Sequence, residues 1–421
     1  MPDLRSKIEA LRAEGVRFLG YVNPYLCSDG SLFGEAEAAG FLAKDKDGLD
    51  GATALVDFGE FECGVVDFTN ERACAWFEET VIGTHMLDYG LSGWMADFGE
   101  YLPIDGIHLA NRVDPRLMHN AWPTLWARVN ARAIAARGRT GEALFFMRAG
   151  FTGVQAHCPL LWAGDQSVDF SRHDGLVTVI CAALSSGLVG NAYHHSDIGG
   201  YTSLFGNVRT PELLMRWAEM AAFTPVMRTH EGNRPRENVQ IDDDPLVRAY
   251  PRNAFAPSWR AASLRVRALR ACVKEWDGRN GQDVLRGNLQ VLAHFASMVR
   301  IWVHLVPYLK SLVAEAVSAG LPVQRPLFLH FEADRACYTI QDAYLYGPDM
   351  LVAPVHHAAT TSRSVHLPLG AEWRHVWSEA TFGGGAEMTV EAPIGKPAVF
   401  YRVGSAFSSL FDGIAASAGR G

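Results

Sequence analysis

The chain has 421 residues, 48% of them hydrophobic and 20% charged, which excludes a disordered chain, a collagen-like repeat and a coiled coil. Its formal net charge of −8 takes weight from non-specific nucleic-acid binding. No run of about 18 apolar residues occurs, so membrane insertion is not expected, and the length fits two or three domains or one large α/β barrel with an appendage.

The opening stretch, MPDLRSKIEALRAEG, is charged, has a helical pattern and lacks a secretory apolar region. The 7 cysteines are scattered, odd in number and without a C-x-x-C pair. Buried free thiols in a reducing compartment are therefore expected, with the cytoplasm as the location, and a disulfide framework or zinc ribbon is not.

From Lys7 to Leu312 short apolar runs alternate with longer amphipathic stretches. The runs are VRFLGYVNPY, GWMADFGE, ALFFMRAG, LLWAGD, GNAYHHSDIGG and TPVMRTHEGN. Each ends in Gly, Asn, Asp or His, the pattern of a buried parallel strand. The stretches between them, such as ERACAWFEETVIGTHML, RLMHNAWPTLWARVNARAIAA and LVTVICAALSSGL, read as helices. Strand alternating with helix gives βαβ units. The runs supply six of the eight strands that a (β/α)₈ barrel needs. An open doubly wound sheet is the alternative. The barrel is favoured because polar residues collect at the strand ends: Asn23, Asp97, Arg148, Asp165, Asp197 and His230. In a barrel those ends meet on one face.

Residues 246–288 break the rhythm and read as an insertion. They include an Arg-rich helical stretch with a solvated basic face, closed by a turn at DGRNGQ. After Leu321 short strands and turns predict an antiparallel β domain over 322–421, with a frayed tail at GIAASAGRG. The fold expected is thus an α/β (β/α)₈ TIM barrel over 1–321, lacking its first two strands, followed by that β domain.

The strongest local signal is GWMADFGEYLP, where a strand delivers Asp97 among Trp94, Phe98 and Tyr101, with Glu100 three residues on. Aromatic faces suit pyranose rings, and a carboxylate can attack an anomeric carbon. An N-cap that closes the next loop is the alternative for Asp97. In LLWAGDQSVDFS, Asp165 again ends a strand beside Trp162, with Asp169 as competitor. Glycoside hydrolysis needs two such carboxyls across the scissile bond.

HHSDIGGY offers His194, His195 and Asp197 as sugar-hydroxyl partners, a structural cluster or metal ligands. No further ligand at helical spacing supports a metal. Arg228 and His230 follow the next strand, and Arg148 is a charge partner for a catalytic carboxylate. No dinucleotide loop, Walker A loop, nucleophile elbow or H-E-x-x-H helix is present. No cofactor and no metal are therefore expected. The expected partner is a small-molecule glycoside, not a nucleic acid, and a homo-oligomer is left open.

At these residues the chain resembles glycoside hydrolase family 31, most closely its sulfoquinovosidase branch. The matching stretches are EGVRFLGYVNPY, GVVDFTN, GWMADFGEYLP, LFFMRAG, LLWAGDQSVDFS, HHSDIGGYTSLF, AFTPVMRTHEGNRP, RPLFLH, DMLVAPV and GKPAVFYR. The resemblance implies a (β/α)₈ barrel and a retaining α-glycosidase acting on sulfoquinovosyl or related α-glucosyl glycosides. Asp97 then matches the nucleophile and Asp165 the general acid/base. Arg148, Asp197 and His230 match positions that hold the sugar. Trp94 matches the aromatic next to the nucleophile, and Tyr201 a position that helps bind the sulfonate. It also implies a β-sandwich and two barrel strands ahead of Met1. A sugar-binding or catalytically impaired relative is the rival reading, and a metal-dependent hydrolase at His194, His195 and Asp197 a third.

Overall fold

The computed structural model describes residues 3–48, 51–59, 61–241 and 279–419. Its chain divides into two compact units, Met1–Trp162 and Ala163–Gly421.

In the first unit the strands Gly20–Val22, Gly93–Ala96, Leu144–Met147 and Leu160–Trp162 lie side by side in that order, all parallel. The register sets Tyr21 beside Met95, and Met95 beside Phe146. Gly93 allows the close approach of its neighbour, since a Cβ there would collide with the Leu144 carbonyl oxygen.

The helical stretches form where the pattern predicts. Asn70 starts one by accepting the Arg72 N–H at 3.0 Å, and Glu71–Trp76 then widens into a π-helix, Phe77–Leu87. Asp114 caps Pro115–Met118, and Trp122–Ala136 follows with Pro123 in its first turn. These helices bury aromatic side chains. Phe68 stacks on Trp126 at 5.5 Å, and Phe77 meets Trp126 edge-on at 5.5 Å. Removing one such ring would cost about 3–5 kcal/mol.

One part of this unit is not foreshadowed by the strand–helix rhythm. Tyr25–Cys27, Glu62–Val65 and Leu55–Asp57 form a three-stranded antiparallel sheet, and Lys44–Asp45 pairs with Ile107–His108. Strands this short carry too few residues for a two-residue alternation to show.

In the second unit Asp197–Ile198 pairs in parallel with Arg228–Thr229. Helices Leu176–Leu188 and Pro211–Ala221 lie between the strand ends in sequence. Thr210 caps the second of these, accepting the Leu213 N–H at 3.2 Å. Helices Arg279–His304 and Val306–Ala319 follow, the latter ended by Gly320 at φ 72°. Among the described residues no single helix is long and apolar enough to cross a membrane.

The insertion expected over 246–288 falls outside the described residues as far as 278. From Arg279 the chain is already helical, so the turn expected at DGRNGQ does not continue past that point. The apolar face further along, Val291, Met298 and Ile301, packs into the core and carries the helix.

The C-terminal part is antiparallel, as expected. A six-stranded sheet runs Gln324–Arg325, Tyr344–Tyr346, Met350–Ala353, Ala398–Arg402, Glu372–His375, Thr381–Gly383, beside the pair Ser362–Leu367 and Ala386–Glu391. As far as the described residues reach, the tail expected to be frayed is helical. Ser408–Asp412 and Ile414–Ala418 are short helices, and Phe411 and Ile414 are buried with Tyr308 in one apolar cluster. Phe411 meets Tyr308 edge-on at 5.0 Å. One anchoring apolar residue within the stretch, Ile414, and Phe411 just before it outweigh its Gly-rich composition.

All six described cysteines are free thiols. Cys63, Cys74, Cys158 and Cys337 are buried as expected, Cys181 is half-buried, and Cys27 is exposed.

Candidate active site

The sequence-derived residues fall into two clusters, one in each unit. The first is built on the C-terminal ends of three adjacent strands. Asp97 follows Gly93–Ala96 directly, and its backbone N–H continues the ladder to Val22 O at 2.9 Å. The residue is 8% exposed and its side chain is ringed by donors. Tyr21 Oη donates to Asp97 Oδ2 at 2.6 Å, and the Phe98 N–H donates to Oδ1 at 2.8 Å. Arg148 Nε stands 3.4 Å from Oδ1. The Asp97 Oδ1–Phe98 contact is made in a strained turn, with Phe98 at φ 59°. The left-handed region costs a non-glycine residue about 1–2 kcal/mol.

Arg148 follows Leu144–Met147, so the sheet brings it to Asp97 from the other side to Tyr21. It also holds Glu100, Nη2 to Oε1, at 2.5 Å, and lies over the Phe98 ring at 4.4 Å. Burial, reinforced by the Asp97 carboxylate, raises the Tyr21 phenol well above its usual range and keeps it a donor. Two hydrogen-bond donors and one cation thus surround the Asp97 carboxyl.

Trp94 does not belong to this cluster. It is fully buried, its indole Nε1 donates to Asn130 Oδ1 at 2.7 Å, and it stacks on Phe145 at 6.3 Å. Side chains alternate across a strand, so Trp94 and Asp97, three positions apart, leave on opposite faces. The expectation that Trp94 binds substrate is corrected accordingly: its partner is the Trp122–Ala136 helix.

The second cluster starts at Asp165, whose side chain is exposed. Its backbone is fixed by the segment around Tyr201. Thr202 Oγ1 donates to Asp165 O at 2.7 Å, and the Tyr201 and Thr202 N–H groups both donate to Gln166 O at 2.8 Å. Gly200 permits this approach: it sits at φ 76°, and a Cβ would lie 2.7 Å from Ser167 O.

Asp197 is 1% exposed and ion-paired with Arg228, and Arg228 Nε donates to His195 Nε2 at 2.9 Å. Burial pushes the Asp197 carboxyl up, opposed chiefly by Arg228. His194 is buried and pushed down to about 4, so it is neutral. His230 Nδ1 accepts the Gly232 N–H at 3.0 Å, which leaves the proton on Nε2, and its ring meets Tyr201 edge-on at 4.8 Å. The Arg228 guanidinium bridges Asp197 and His195, the position a metal ion held by those side chains would need, so the donor set does not fit a cation.

Comparison with known proteins gives these clusters a family. Residues 1–261 match the model of the glycosyl hydrolases family 31 TIM-barrel domain, and residues 320–407 that of the family 31 C-terminal domain. The chain belongs to glycoside hydrolase family 31. It is 63% identical over 411 residues to the sulfoquinovosidase of Agrobacterium fabrum, covering 98% of this chain and 55% of that protein. It is 48% identical over 410 residues to the sulfoquinovosidase of Escherichia coli, covering 97% and 53%. A family 31 sulfoquinovosidase from E. rectale, solved with an aza-sugar inhibitor, matches with TM-score 0.85 and 46% identity over 98% of this chain and 54% of that one. The chain thus spans about half the length of these relatives.

In a family 31 TIM barrel the strand ends have a shared meaning, because barrel chemistry sits at the C-terminal face. Asp97, Arg148 and His230 each directly follow a parallel strand. Sequence reasoning missed Tyr21 and the role of Arg228. Tyr21 was detectable by strand parity: it lies two before the polar strand-end residue Asn23, hence on the same face. Arg228 was noticed beside His230, but not as the cation that neutralises Asp197. A buried Asp needs such a partner.

Proposed function

We propose that this family 31 chain is the catalytic part of a retaining hydrolase that cleaves sulfoquinovosyl α-glycosides by double displacement. Asp97 attacks the anomeric carbon while Asp165 protonates the leaving oxygen. Water then attacks the glycosyl-enzyme as Asp165 takes its proton. A retaining pair of this kind works at a carboxyl separation of about 5–5.5 Å. Arg148, Asp197 and His230 hold sugar hydroxyls, and Tyr201 donates to a sulfonate oxygen.

The observation that carries the reading is the Asp97 carboxylate held between Tyr21, the Phe98 N–H and Arg148. Its oxygens are oriented by these groups, in a chain 63% identical to a protein named sulfoquinovosidase. The reading includes six barrel strands from this chain, with two more completing the barrel in the whole enzyme, which works in the cytoplasm.

The test is hydrolysis of 4-nitrophenyl α-sulfoquinovoside against 4-nitrophenyl α-glucoside, with the first-formed anomer followed by NMR. It is run on this chain and on a chain of its relatives' length. Turnover of the sulfonated substrate with α-configured product, lost in Asp97→Asn, supports the reading. Inactivity of both chains would favour a catalytically impaired, sugar-binding relative.

A further inference from the structure

Cys27 and Cys63 are direct partners across the antiparallel strands Tyr25–Cys27 and Glu62–Val65. The ladder bonds around them fix what kind of pair this is. The Ser28 N–H donates to Glu62 O at 2.9 Å, and the Val66 N–H donates to Pro24 O at 3.2 Å. Hydrogen-bonded and non-hydrogen-bonded pairs alternate in such a ladder, so Cys27 and Cys63 form a non-hydrogen-bonded pair. Its Cα atoms stand about 4.5 Å apart with both side chains on one face. That lies inside the range of roughly 4.4–6.8 Å that a disulfide spans.

The two Sγ atoms are 3.6 Å apart, with Cys63 buried and Cys27 exposed. Two of the other described cysteines differ. Cys74 Sγ donates to Phe68 O and Cys158 Sγ to Leu160 O, each held by a backbone carbonyl.

We propose that Cys27 and Cys63 are a modification site, a thiol pair that closes reversibly to a disulfide by exchange with a small-molecule disulfide. The Cys27 thiolate, open to solvent, attacks one sulfur of the small disulfide and expels the first reduced thiol. Cys63 Sγ then attacks Cys27 Sγ in the mixed disulfide, and the second reduced thiol leaves. Two protons leave the cysteines, and their two electrons pass to the small disulfide. Burial, reinforced by Cys27 beside it, pushes the Cys63 thiol up to about 12, so the closing step quickens as pH rises.

The crosslink reaches the candidate nucleophile through packing within the same unit. It fixes the strand that carries Tyr25, whose ring meets Phe98 edge-on at 5.6 Å. Phe98 follows Asp97 and underlies Arg148.

The experiment equilibrates the folded, full chain with glutathione buffers of rising oxidised-to-reduced ratio, then quenches with acid. Intact mass, thiol count and peptide mapping are read. The expected result is a species lighter by two hydrogens, with two fewer titratable thiols and a peptide linking Cys27 to Cys63. Dithiothreitol reverses it, and its yield falls at least tenfold in Cys27→Ser, a change at an exposed position. Cys63→Ala provides a second variant. Wild-type protein that stops at a glutathione adduct on Cys27 would overturn the proposal. So would a two-hydrogen loss that persists in either variant.

Discussion

Tyr21 and Asp97 meet across neighbouring parallel strands, the Tyr21 hydroxyl donating to Asp97 Oδ2 at 2.6 Å. The register that pairs Tyr21 with Met95 places the two on one face of the sheet, and the fully buried Trp94 on the other. A donor to a carboxylate stabilises its ionised form. Tyr21→Phe removes that donor and leaves Asp97 Oδ2 less firmly oriented. The expected outcome is a fall of about tenfold in kcat/KM for the glycoside. A tyrosine that merely filled space would leave kcat/KM in place, since phenylalanine keeps the ring.

Asp165 as general acid/base makes a prediction that depends on the leaving group. An activated aryloxide departs without protonation, whereas an alkyl aglycone such as glycerol needs it. Asp165→Ala should lose about 10²–10⁴-fold on the alkyl glycoside and far less on the 4-nitrophenyl glycoside. Azide should restore turnover of the activated substrate by attacking the glycosyl-enzyme. Equal losses on both substrates would remove the role.

Trp94 separates a core residue from a sugar platform. Trp94→Phe deletes the bond to Asn130 Oδ1 and leaves that buried acceptor unpaired, which costs about 1–3 kcal/mol. A lowered Tm with KM for the glycoside unchanged within about twofold is the expected result. A selective rise in KM at unchanged Tm would return Trp94 to the substrate site.

The parallel strands were legible as apolar runs closed by Gly, Asn, Asp or His, and the helices between them by a 3.6-residue pattern over longer stretches. LVTVICAALSSGL became helix Leu176–Leu188 as read. Asp97 and Arg148 were legible because a charged residue directly after an apolar strand has few structural reasons to be there. The sheet around Tyr25, Glu62 and Leu55 was not, since polar residues and turns break up its apolar positions and no strand–helix rhythm marks it. Trp94 misled because adjacency in sequence to Asp97 suggests proximity, while the pleat turns it to the other face. Arg228 and Tyr21 escaped because their roles depend on register across strands, which a single sequence does not display.

His194 supplies a pH signature that is independent of activity. Burial pushes it down to about 4 from 6.5, so the folded chain keeps it neutral while the unfolded chain binds a proton. Between these values the unfolded state carries more protons, and stability rises with pH. The contribution is fully present above pH 6.5 and drains away as pH falls toward 4, about 3 kcal/mol in all. His294, also buried and pushed down to about 4, acts in the same direction, while the raised carboxyls of Asp197 and Glu219 act against it. The quantity to measure is therefore a difference. Urea unfolding of wild type and His194→Phe at closely spaced pH values should show a shallower acid loss in the variant, with the two curves diverging only below about pH 6.5. Parallel curves across that window would mean that the ring is already charged in the folded protein.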